Sequence, residues 1–480
     1  MDHKTATTVV TRFAPSPTGF LHIGGVRTAL FAYLYAKKTH GDFILRIEDT
    51  DKAREVEGSV QHIQDSLRWL GIEWAYGPDS EGTPFGSCLQ SERLDLYRRY
   101  AAALVAAGHA YPDPFTSEQV NEFREHAKAN ERPFLFRDHR PDSFSEWDGT
   151  QPLRFKIPEV KRYEWYDEVR GNLSAGEEML DDIILIKSDG YPTYNFAHIV
   201  DDHDMGVTHV MRADEFISSM PKFLSIYDAL EIPYPTFATQ PPIMAADGKK
   251  KLGKRDGAKD ILDYKADGYL PQTMMNFLAL TGWNPGTDQE LFSEAALIEQ
   301  FSIHDIQRSG AAFNEEKLKW MNREYLLQLS DTAQVAYVHE ALPSRPSDIV
   351  ERLTKTILER AHTQAEIKAA DEEGEYDWAF TDISYTPELL RWKQDDTASA
   401  ALPRLITVGE LLESADFSSP ETIKTAIWPY AEATGKGEVL WPTRVALTGR
   451  ERSPDPFTCA FVVGKDETIK RLNKAVELLS

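Results

Sequence analysis

The fold is decided by residues 8–48, which read TVVTRFAPSPTGFLHIGGVRTALFAYLYAKKTHGDFILRIE. A β-rich stretch at 8–13 predicts a strand, a loop with two prolines follows, and the next stretch predicts a helix over about 24–39. Gly41 is expected to end that helix, and residues 43–48 predict a second strand. A strand, a helix and a strand in this order make a βαβ unit, the building block of a parallel sheet. The chain is therefore expected to begin with an α/β domain.

Two further helices are expected after this unit. The first is indicated by apolar residues at spacings of four and three, which place them on one helix face: Val56, Val60, Ile63, Leu67 and Leu70. The second has Ser91 as its candidate N-cap and turns another apolar set inward: Leu94, Tyr97, Ala101 and Leu104.

From about residue 112 the sequence becomes proline-rich and charged, with short alternating stretches such as 153–157, which indicates an insertion. The sheet is expected to resume at 183–186, an apolar run typical of a buried parallel strand, and to continue through 208–211. Beyond about residue 257 the periodicity predicts helices up to the last apolar set, Ile469, Leu472, Val476 and Leu479.

Length and composition predict a globular protein of two to four domains, since 480 residues exceed what one hydrophobic core supports. With 41% hydrophobic and 27% charged residues, a disordered chain is excluded. No apolar run approaches the roughly 18 residues of a membrane helix, and the first residues lack the build of a signal peptide, so a cytoplasmic protein without a membrane partner is expected. Cys88 and Cys459 stand far apart, which excludes a disulfide framework and a cysteine-rich zinc site.

The charge balance is strongly acidic, with 53 Lys and Arg against 77 Asp and Glu and a net charge of −24. This surplus argues against a nucleic-acid partner, because polyanions select basic surfaces. A locally basic groove on an acidic body can still bind RNA, with a strong dependence on salt. Net charge alone does not decide between the two.

The first candidate for chemistry is the loop and helix start at 15–25, PSPTGFLHIGG. Its prolines stiffen the loop, and Gly24 and Gly25 allow the backbone to approach a ligand closely. The start of the helix offers N–H groups and the positive end of a dipole to a phosphate, and His22 adds a donor beside it. The alternative is a tight turn with a surface histidine.

The second candidate is the segment 247–257, DGKKKLGKRDG, which has five cations in the seven positions 249–255. In so acidic a chain, a flexible basic loop suits a polyphosphate whose charge grows as a leaving group departs. The alternative is a solvated surface loop.

Acidic and polar residues at predicted strand ends form the third candidate. They are the acidic stretch 48–51 and the polar string 191–196, which leads into Asp201, Asp202, His203 and Asp204. Such positions face the ligand crevice of an open α/β sheet, where a carboxylate can hold an ammonium or a ribose. A metal site at 201–204 is an alternative, but no other suitably spaced histidine or cysteine supports it.

Six segments of the chain match one known family in order and spacing. RFAPSPTGFLHIGGVRTAL resembles the first signature of bacterial glutamyl-tRNA synthetases, with His22 to Gly25 in the place of the class I His-Ile-Gly-His motif. KLGKR, residues 251–255, resembles their second signature. The other four matching segments are LRIEDTD, SDGYPTYNFA, VDDHDMGVTHVMRADE and GYLPQTMMNFLALTGW. This resemblance removes the surface-turn and surface-loop alternatives together.

The resemblance implies an α/β fold: a Rossmann-type class I synthetase catalytic domain with an α+β insertion, followed by all-α stem-contact and anticodon-binding domains. It also implies domain boundaries: 1–111 with 183–256 for the catalytic domain, 112–182 for the inserted acceptor-stem-binding domain, 257–325 for the stem-contact domain and 326–480 for the anticodon-binding domain. WPTRVALTGRERSPDP, residues 441–456, resembles the helical anticodon-binding region.

The implied reaction has two steps. Glutamate attacks the α-phosphorus of ATP to give glutamyl-adenylate and pyrophosphate, and a terminal ribose hydroxyl of tRNA then takes the glutamyl group. No nucleophile of the enzyme is needed, since positioning and charge stabilisation suffice. The expected partners are L-glutamate, ATP with Mg²⁺, and tRNA-Glu, with tRNA-Gln as a further candidate and a monomer as the expected state.

The resemblance also implies roles for individual residues. Transition-state stabilisation is expected from His22 and Lys254. The ATP site would contain His22, Gly24, Gly25, Glu215, Met244, Lys251, Lys254 and Arg255. The glutamate site would contain Arg12, Ser16, Glu48, Tyr194, His198 and Arg212, with Glu48 suited to the ammonium and Arg12 or Arg212 to the carboxylates. A local basic stripe for tRNA would draw on the insertion and on Lys317, Lys319, Arg323, Arg444 and Arg450.

Three positions depart from the family pattern. Gly253 stands where a serine is usual, which removes a hydroxyl that could bind phosphate and adds loop flexibility. His198 stands where some members have an asparagine, so its contact with glutamate is left open. Residues 111–114, YPDP, replace the cysteines of zinc-bearing relatives, so structural zinc is not expected.

Two other functions remain as alternatives. One is a small-molecule adenylating or nucleotidyl-transferring enzyme of the same superfamily that does not use tRNA. The other is a non-enzymatic tRNA-binding relative, which the presence of both His22 and Lys254 disfavours.

Overall fold

The computed structural model describes residues 8–253 and 259–480. Over this part, the chain divides into two compact units. The first contains the described residues up to 265 together with 271–318, and the second contains 266–270 and 319–480. The finer division into four domains stays a prediction.

The βαβ unit expected at the start of the chain is confirmed. It consists of β1 (Val10–Phe13), α1 (Ile23–Lys38) and β2 (Asp42–Leu45). The two strands pair in parallel. α1 is apolar on most sides, since it packs on β1 and β2 and is also contacted by α8 (Pro271–Leu280) and α9 (Glu294–Gln300). A helix covered on several sides is expected to lack a polar face.

The main sheet combines strands from distant parts of the chain. β8 (His209–Ala213) lies beside β1, and β9 (Thr236–Gln240) lies beside β8, both in parallel pairing. β5 (Tyr163–Asp167) pairs in parallel with β9. β6 (Gly171–Ala175) pairs antiparallel with β5 and is the edge strand on this side of the sheet. The order is β2-β1-β8-β9-β5-β6, so a hairpin from the predicted insertion extends the parallel sheet.

The apolar run expected to resume the parallel sheet belongs to a different sheet. β7 (Ile184–Ile186) pairs antiparallel with β4 (Leu153–Phe155), which pairs antiparallel with β3 (Ala110–Pro112). The prediction for 183–186 is therefore wrong in direction and in sheet, whereas that for 208–211 is confirmed by β8. A short apolar run indicates burial, but burial does not specify which strand will be the partner.

Two expectations about helix starts are also wrong. α2 (Ser59–Trp69) begins after Val56, which is 39% exposed and whose N–H donates to the carbonyl oxygen of Pro17. α3 (Leu94–Ala106) has Arg93 rather than Ser91 at its N-cap position. The Ser91 hydroxyl donates to the carboxylate of Asp49 instead. In both places a long-range hydrogen bond fixes the chain before the helix starts.

The remaining elements follow along the chain. The other helices are α4 (Ser117–Ala129), α5 (Tyr194–Asp204), α6 (Met220–Ala229), α7 (Ile261–Ala266), α10 (Glu315–Gln328), α11 (Asp331–Ala341), α12 (Ser347–Leu358), α13 (Gln364–Glu372), α14 (Asp377–Phe380), α15 (Leu402–Glu413), α16 (Pro420–Thr434), α17 (Lys436–Thr448), α18 (Pro456–Val463) and α19 (Lys465–Leu479). Two short strands, β10 (Ile243–Met244) and β11 (Ala311–Ala312), pair in parallel. Short 3₁₀ segments occur at Lys52–Arg54, Gln90–Glu92, Phe136–His139, Glu177–Met179, Asp214–Ser219, Ile303–Asp305, Pro387–Leu390 and Ala398–Ala401.

The second unit is helical, as expected. Its core contains buried side chains such as those of Val350, Leu353 and Ile357 on α12 and of Leu472 on α19. The strand β11 is an exception to the helical expectation beyond residue 257, and it lies in the first unit. Among the described residues, no helix combines the length and the hydropathy needed to cross a membrane.

Candidate active site

A cavity of about 960 Å³ opens in the first unit where β1, β8 and β9 end. Parallel neighbouring strands end at the same edge of a sheet, so the loops that follow them converge there. The cavity brings together most residues of the two predicted ligand sites: Arg12, Ser16, His22, Gly24, Gly25, Glu48, Tyr194, Arg212, Glu215 and Lys251. Met244 and His198 are not among its lining residues.

His22 is the N-cap of α1 and borders this cavity. Its Nδ1 accepts a hydrogen bond from the N–H of Gly24 at 3.1 Å. Since Nδ1 accepts, the neutral imidazole carries its proton on Nε2 and can donate from that atom. The N-terminus of α1 adds the positive end of the helix dipole. This corner of the cavity therefore suits an anion.

The two glycines after His22 leave no room for side chains. A Cβ at Gly24 would come within 3.0 Å of the His22 ring, and a Cβ at Gly25 would lie 2.7 Å from a methyl group of Leu21. Any side chain at Gly24 would therefore displace the His22 ring. The backbone of both glycines forms part of the cavity wall.

Glu48 is a buried carboxylate that lines the cavity just after β2. Nη2 of Arg46, which is itself fully buried, donates to its Oε1 at 3.1 Å. Burial raises the pKa of Glu48 to about 7, against the opposing charges of Arg46 and Arg12. The charge of this carboxylate therefore changes near neutral pH, next to a space where a cation can bind.

Arg12, on β1, is held in place by a bidentate ion pair. Its Nε donates to Oδ1 of Asp202 at 3.1 Å, and its Nη2 donates to Oδ2 at 3.4 Å. Its Nη1 donates to the carbonyl oxygen of Met211 at 3.3 Å. These three bonds use three of the five N–H groups of the guanidinium. The group reaches the cavity with one edge already fixed by protein.

Arg212, on β8, is buried and differs from Arg12 in its surroundings. Three aromatic rings lie around its guanidinium, those of Phe216, Phe223 and Phe237, at 4.9 to 5.6 Å. Its Nη2 donates to the sulfur of Met220, and its Nη1 has no hydrogen-bond partner among the described residues. A buried donor without a partner is costly, so this site favours a ligand that supplies an acceptor.

Tyr194 lines the cavity, whereas His198 lies behind it. The two rings stack with centroids 4.6 Å apart, and Nδ1–H of His198 donates to the carbonyl oxygen of Tyr194 at 2.7 Å. Burial lowers the pKa of His198 to about 3, so the ring is neutral. His198 therefore supports Tyr194, the residue that lines the cavity.

The second signature reaches the cavity through its first residues. Lys251 lines the cavity and is ion-paired with Glu215, which lines it too. Gly253 is the last described residue before 259 and also lines the cavity. Lys254 and Arg255, expected to bind ATP, lie outside the described residues. Met244 lies in β10, which pairs with β11, and the neighbouring residue Ile243 lines the cavity instead of Met244.

The acidic residues considered for a metal site are ion-paired with arginines. Asp201 accepts from Nε of Arg93 at 2.8 Å, and Asp202 accepts from Nη1 of Arg46 at 2.7 Å. Within residues 8–253 and 259–480, no group of three or more His, Cys, Asp or Glu side chains is arranged to hold a metal ion.

The basic residues expected to contact tRNA all have protein partners. Lys317 pairs with Glu290, and Lys319 pairs with Glu366 at 3.0 Å. The three arginines donate to backbone carbonyl oxygens: Arg323 to Leu358, Arg444 to Glu451, and Arg450 to Gly374 and Glu375.

Arg450 also lines a second cavity, of about 210 Å³, within the second unit. Arg360 and Arg452 line the same cavity. This arrangement of three guanidinium groups was not expected from the sequence, where the three residues are spread over 93 positions.

Sequence reasoning missed three residues of the active-site region, Arg27, Arg46 and Arg54, and it named Asp202 without its partner. Arg54 and Arg27 line the cavity, and Arg46 and Asp202 lie directly behind it in ion pairs with Glu48 and Arg12. For Arg46 a signal existed, because residues two apart in a strand point to the same face and Arg46 precedes Glu48 by two. The partnership of Asp202 with Arg12 spans 190 positions and leaves no local signal.

We expect no stoichiometric zinc in the purified protein. Burial raises the pKa of Cys88 to about 11 and that of Cys459 to about 12, which disfavours the thiolate that zinc requires. Elemental analysis after chelation measures this directly. One zinc ion retained per chain would show that the ligand argument is wrong.

Two family models match the chain. Residues 8–320 match the catalytic domain of class I tRNA synthetases for glutamate and glutamine (E and Q). Residues 315–476 match an anticodon-binding domain. Together the two models cover almost the whole sequence.

Individual proteins with similar sequences and structures agree with these models. The chain is 40% identical over 486 residues to a glutamate–tRNA ligase of Clostridium botulinum, with 98% of each chain covered. It is 37% identical over 485 residues to that of Moorella thermoacetica, with 97% of each covered. Its structure matches a crystal structure of a glutamate tRNA ligase from Elizabethkingia meningosepticum in complex with its amino acid, with a TM-score of 0.87, 34% identity, and coverage of 99% and 100%.

The fold is thus that of a class I synthetase, with a mixed, largely parallel sheet and a helical C-terminal anticodon-binding domain, as the sequence predicted. The identities to curated relatives extend over nearly the full length of both chains. On these grounds the chain belongs to the class I aminoacyl-tRNA synthetases, in the family of the bacterial glutamate–tRNA ligases.

Proposed function

We propose that this enzyme activates L-glutamate with ATP and transfers it to the 3′ terminal ribose of tRNA-Glu. The observation that carries the proposal is the cavity that combines the His22 helix start, the carboxylate of Glu48 and the guanidinium groups of Arg12 and Arg212. An acidic amino acid presents one ammonium and two carboxylates, so it needs one anionic and two cationic partners. ATP needs an anion site beside them, which the start of α1 supplies.

In the first step, a carboxylate oxygen of glutamate attacks the α-phosphorus of ATP. The new O–P bond forms as the bond from this phosphorus to the pyrophosphate oxygen breaks. We assign the ammonium to Glu48, the carboxylates to Arg12 and Arg212, and further contacts with glutamate to Ser16 and Tyr194. His198 takes part through its stacking on Tyr194.

The phosphates of ATP, which enters as its magnesium complex, are assigned to His22 and the start of α1 and to the basic segment with Lys251, Lys254 and Arg255. Gly24 and Gly25 form the floor under the nucleotide, and Glu215 holds Lys251 at the rim. Charge grows on the pyrophosphate as it departs, so these cations stabilise the transition state more than the bound substrate.

In the second step, a ribose hydroxyl at the 3′ end of tRNA attacks the acyl carbon of the adenylate, and AMP leaves. We assign tRNA binding to the insertion and to the basic set Lys317, Lys319, Arg323, Arg444 and Arg450. The arginine-lined cavity of the second unit, within the match to the anticodon-binding domain, supports a nucleotide contact there. A monomer in the cytoplasm is the expected form, and tRNA-Gln is a second substrate to be tested.

Pyrophosphate exchange tests the proposal against both alternatives. We expect exchange of pyrophosphate into ATP that depends on glutamate and is measured with and without tRNA-Glu, and glutamylation of purified tRNA-Glu. Exchange without any charging of tRNA would favour a small-molecule adenylating enzyme. Binding of tRNA without exchange would favour a non-enzymatic tRNA-binding protein. Parallel charging of tRNA-Gln decides whether both tRNAs are substrates.

The affinity for tRNA should fall steeply with salt although the protein is an anion. Each cation that contacts a phosphate releases condensed counterions, with a slope of about −0.7 to −0.9 per contact in a plot of log affinity against log salt. Five contacts give a slope of about −3.5 to −4.5. Binding titrations across a salt series measure it, and Arg444→Ala should reduce the slope by about one. A flat response would show that stacking and shape carry the binding.

The KM for glutamate should depend on pH through Glu48. Its pKa is raised to about 7, so the carboxylate is protonated below that pH and cannot attract the ammonium. We therefore expect KM to fall as pH rises through about 7, where Glu48 becomes charged. Steady-state kinetics from about one unit below to one unit above this pH measure the change. Glu48→Gln should raise KM and remove the dependence. The same pH dependence in Glu48→Gln would assign it to another group.

A further inference from the structure

Two consecutive aspartates on α5 are buried but hold different arginines. Asp201 is bound by Arg93 at 2.8 Å and also accepts from the side chains of Gln90 and Tyr97. Asp202 is bound by Arg12. Both aspartates contact Arg46, at 3.7 Å for Asp201 and 2.7 Å for Asp202. Arg12 therefore contacts the second aspartate, whereas Arg93, Gln90 and Tyr97 contact the first.

The pKa values of the two carboxylates are shifted in opposite directions. Although burial opposes it, the charges of Arg12 and Arg46 hold the pKa of Asp202 well below its usual range. Burial raises the pKa of Asp201. Asp202 is thus a permanent anion against Arg12, and its two oxygens engage two different nitrogens of one guanidinium.

This bidentate contact fixes the rotation of the Arg12 guanidinium. A planar guanidinium held on one edge by two bonds, with Nη1 on the carbonyl oxygen of Met211, has two N–H groups left in a defined direction. Arg12 lines the cavity, whereas Asp202 is not among the lining residues. Asp202 therefore acts on a ligand through its partners, directly through Arg12 and less directly through Arg46, which also binds Glu48.

We propose that Asp202 is a positioning residue that aims Arg12 at the side-chain carboxylate of glutamate and so contributes to the choice of glutamate over glutamine. This inference rests on the proposed function and adds that, of the two arginines assigned there to the carboxylates, Arg12 faces the side-chain carboxylate. Two N–H donors of Arg12 that point at the side chain suit a carboxylate, because both carboxylate oxygens accept. The amide of glutamine has only one acceptor oxygen, and its NH₂ group would face one of the two donors. A guanidinium that can rotate loses this geometric distinction while it keeps its charge.

The experiment compares matched variants of the full-length enzyme. Asp202→Asn keeps the size of the side chain but removes the second acceptor for Arg12. Asp201→Asn is the control, because it is adjacent, buried and a partner of Arg46 but does not contact Arg12. For each variant, kcat and KM for activation of glutamate and of glutamine are measured by pyrophosphate exchange in the presence of tRNA-Glu, and thermal unfolding reports stability.

We expect Asp202→Asn to raise the KM for glutamate more than it lowers kcat, and to reduce the glutamate-to-glutamine ratio of kcat/KM by at least about threefold. Asp201→Asn should leave that ratio unchanged even if it lowers the melting temperature. The double variant with Arg12→Gln and Asp202→Asn should have the ratio of Arg12→Gln alone, because a residue that acts through another adds nothing once that residue is gone.

Three results would overturn the inference. An unchanged ratio in Asp202→Asn, with a lowered ratio in Arg12→Gln, would leave the proposed function intact and assign Asp202 a purely structural role. Equal losses of the ratio in the two aspartate variants would show a general disturbance of the buried network. An unchanged ratio in Arg12→Gln itself would instead contradict the placement of Arg12 on which the inference rests. If Asp202→Asn does not fold, Asp202→Glu keeps the charge with a displaced carboxylate, and the same ratio test applies to it.

Discussion

Replacement of Lys254 by alanine is expected to slow adenylate formation by about 10² to 10³, with little effect on glutamate binding. The physical reason is the stage of the reaction at which the negative charge develops. The Lys254 ammonium matters most when negative charge develops on the departing pyrophosphate, after both substrates are bound. The residue before it in the chain, Gly253, lines the active-site cavity, and so does Lys251, so the described part of the basic segment borders the site. Single-turnover measurement of adenylate formation, with a separate titration of glutamate, tests both parts.

Lys249 provides a matched control for this variant. It belongs to the same run of cations, is exposed, and does not line the cavity. Lys249→Ala should therefore keep a rate close to that of the wild type. A single-turnover rate of Lys254→Ala within about threefold of the wild type would remove Lys254 from the catalytic machinery.

The second large effect is expected at Arg12, in the choice between glutamate and glutamine. The two amino acids are nearly equal in size, so charge and hydrogen-bond polarity must separate them. Sites built around a specific buried hydrogen bond reject the wrong analogue by up to about 10⁴ to 10⁵. Arg12→Gln should therefore reduce the glutamate-to-glutamine ratio of kcat/KM at least about tenfold, or about 1.4 kcal/mol. Activation kinetics with both amino acids measure it.

Arg212→Gln distinguishes this arrangement from its reverse. In the competing arrangement, Arg212 holds the side-chain carboxylate and Arg12 holds the α-carboxylate that both amino acids share. Arg12→Gln would then damage both substrates equally and leave the ratio unchanged, and Arg212→Gln would lower it. Nη1 of Arg212 has no hydrogen-bond partner within the described part of the chain, so this group also has a donor for a ligand and both variants need to be measured.

Local patterns predicted the βαβ unit and the residues next to it. β1, α1 and β2 follow from β-propensity, helical periodicity and Gly41, all within about 40 residues. His22 and Glu48 lie at the ends of such elements, so their convergence follows from the rule that ligands bind at the carboxyl ends of parallel strands. Arg212 was implied only by the resemblance to the synthetase family. Most of the candidate site was therefore accessible from sequence.

What the sequence did not predict depends on contacts between distant segments. Burial of 184–186 was recognised, but its antiparallel partner at 153–155 is set by tertiary packing. Likewise, Asp202 was recognised as acidic and placed near the crevice, while its partner Arg12 is 190 positions away. His198 could not be separated from cavity-lining residues, because one helical turn separates it from Tyr194 and only the packing decides which of them faces the ligand.

The hairpin of β5 and β6, which belongs to the predicted insertion, covers strand β9 of the main sheet. β5 meets β9 through the pair Asp167 and Phe237, and the Asp167 carboxylate also accepts from the N–H and the hydroxyl of Thr239. Excision of residues 112–182 to make a minimal enzyme would leave β9 as an exposed edge strand. The unpaired backbone groups of an exposed edge strand promote aggregation. A truncated enzyme would need another strand paired with β9, or charged side chains on β9 itself. Shortening the insertion elsewhere while retaining residues 163–175 would keep β9 paired with β5.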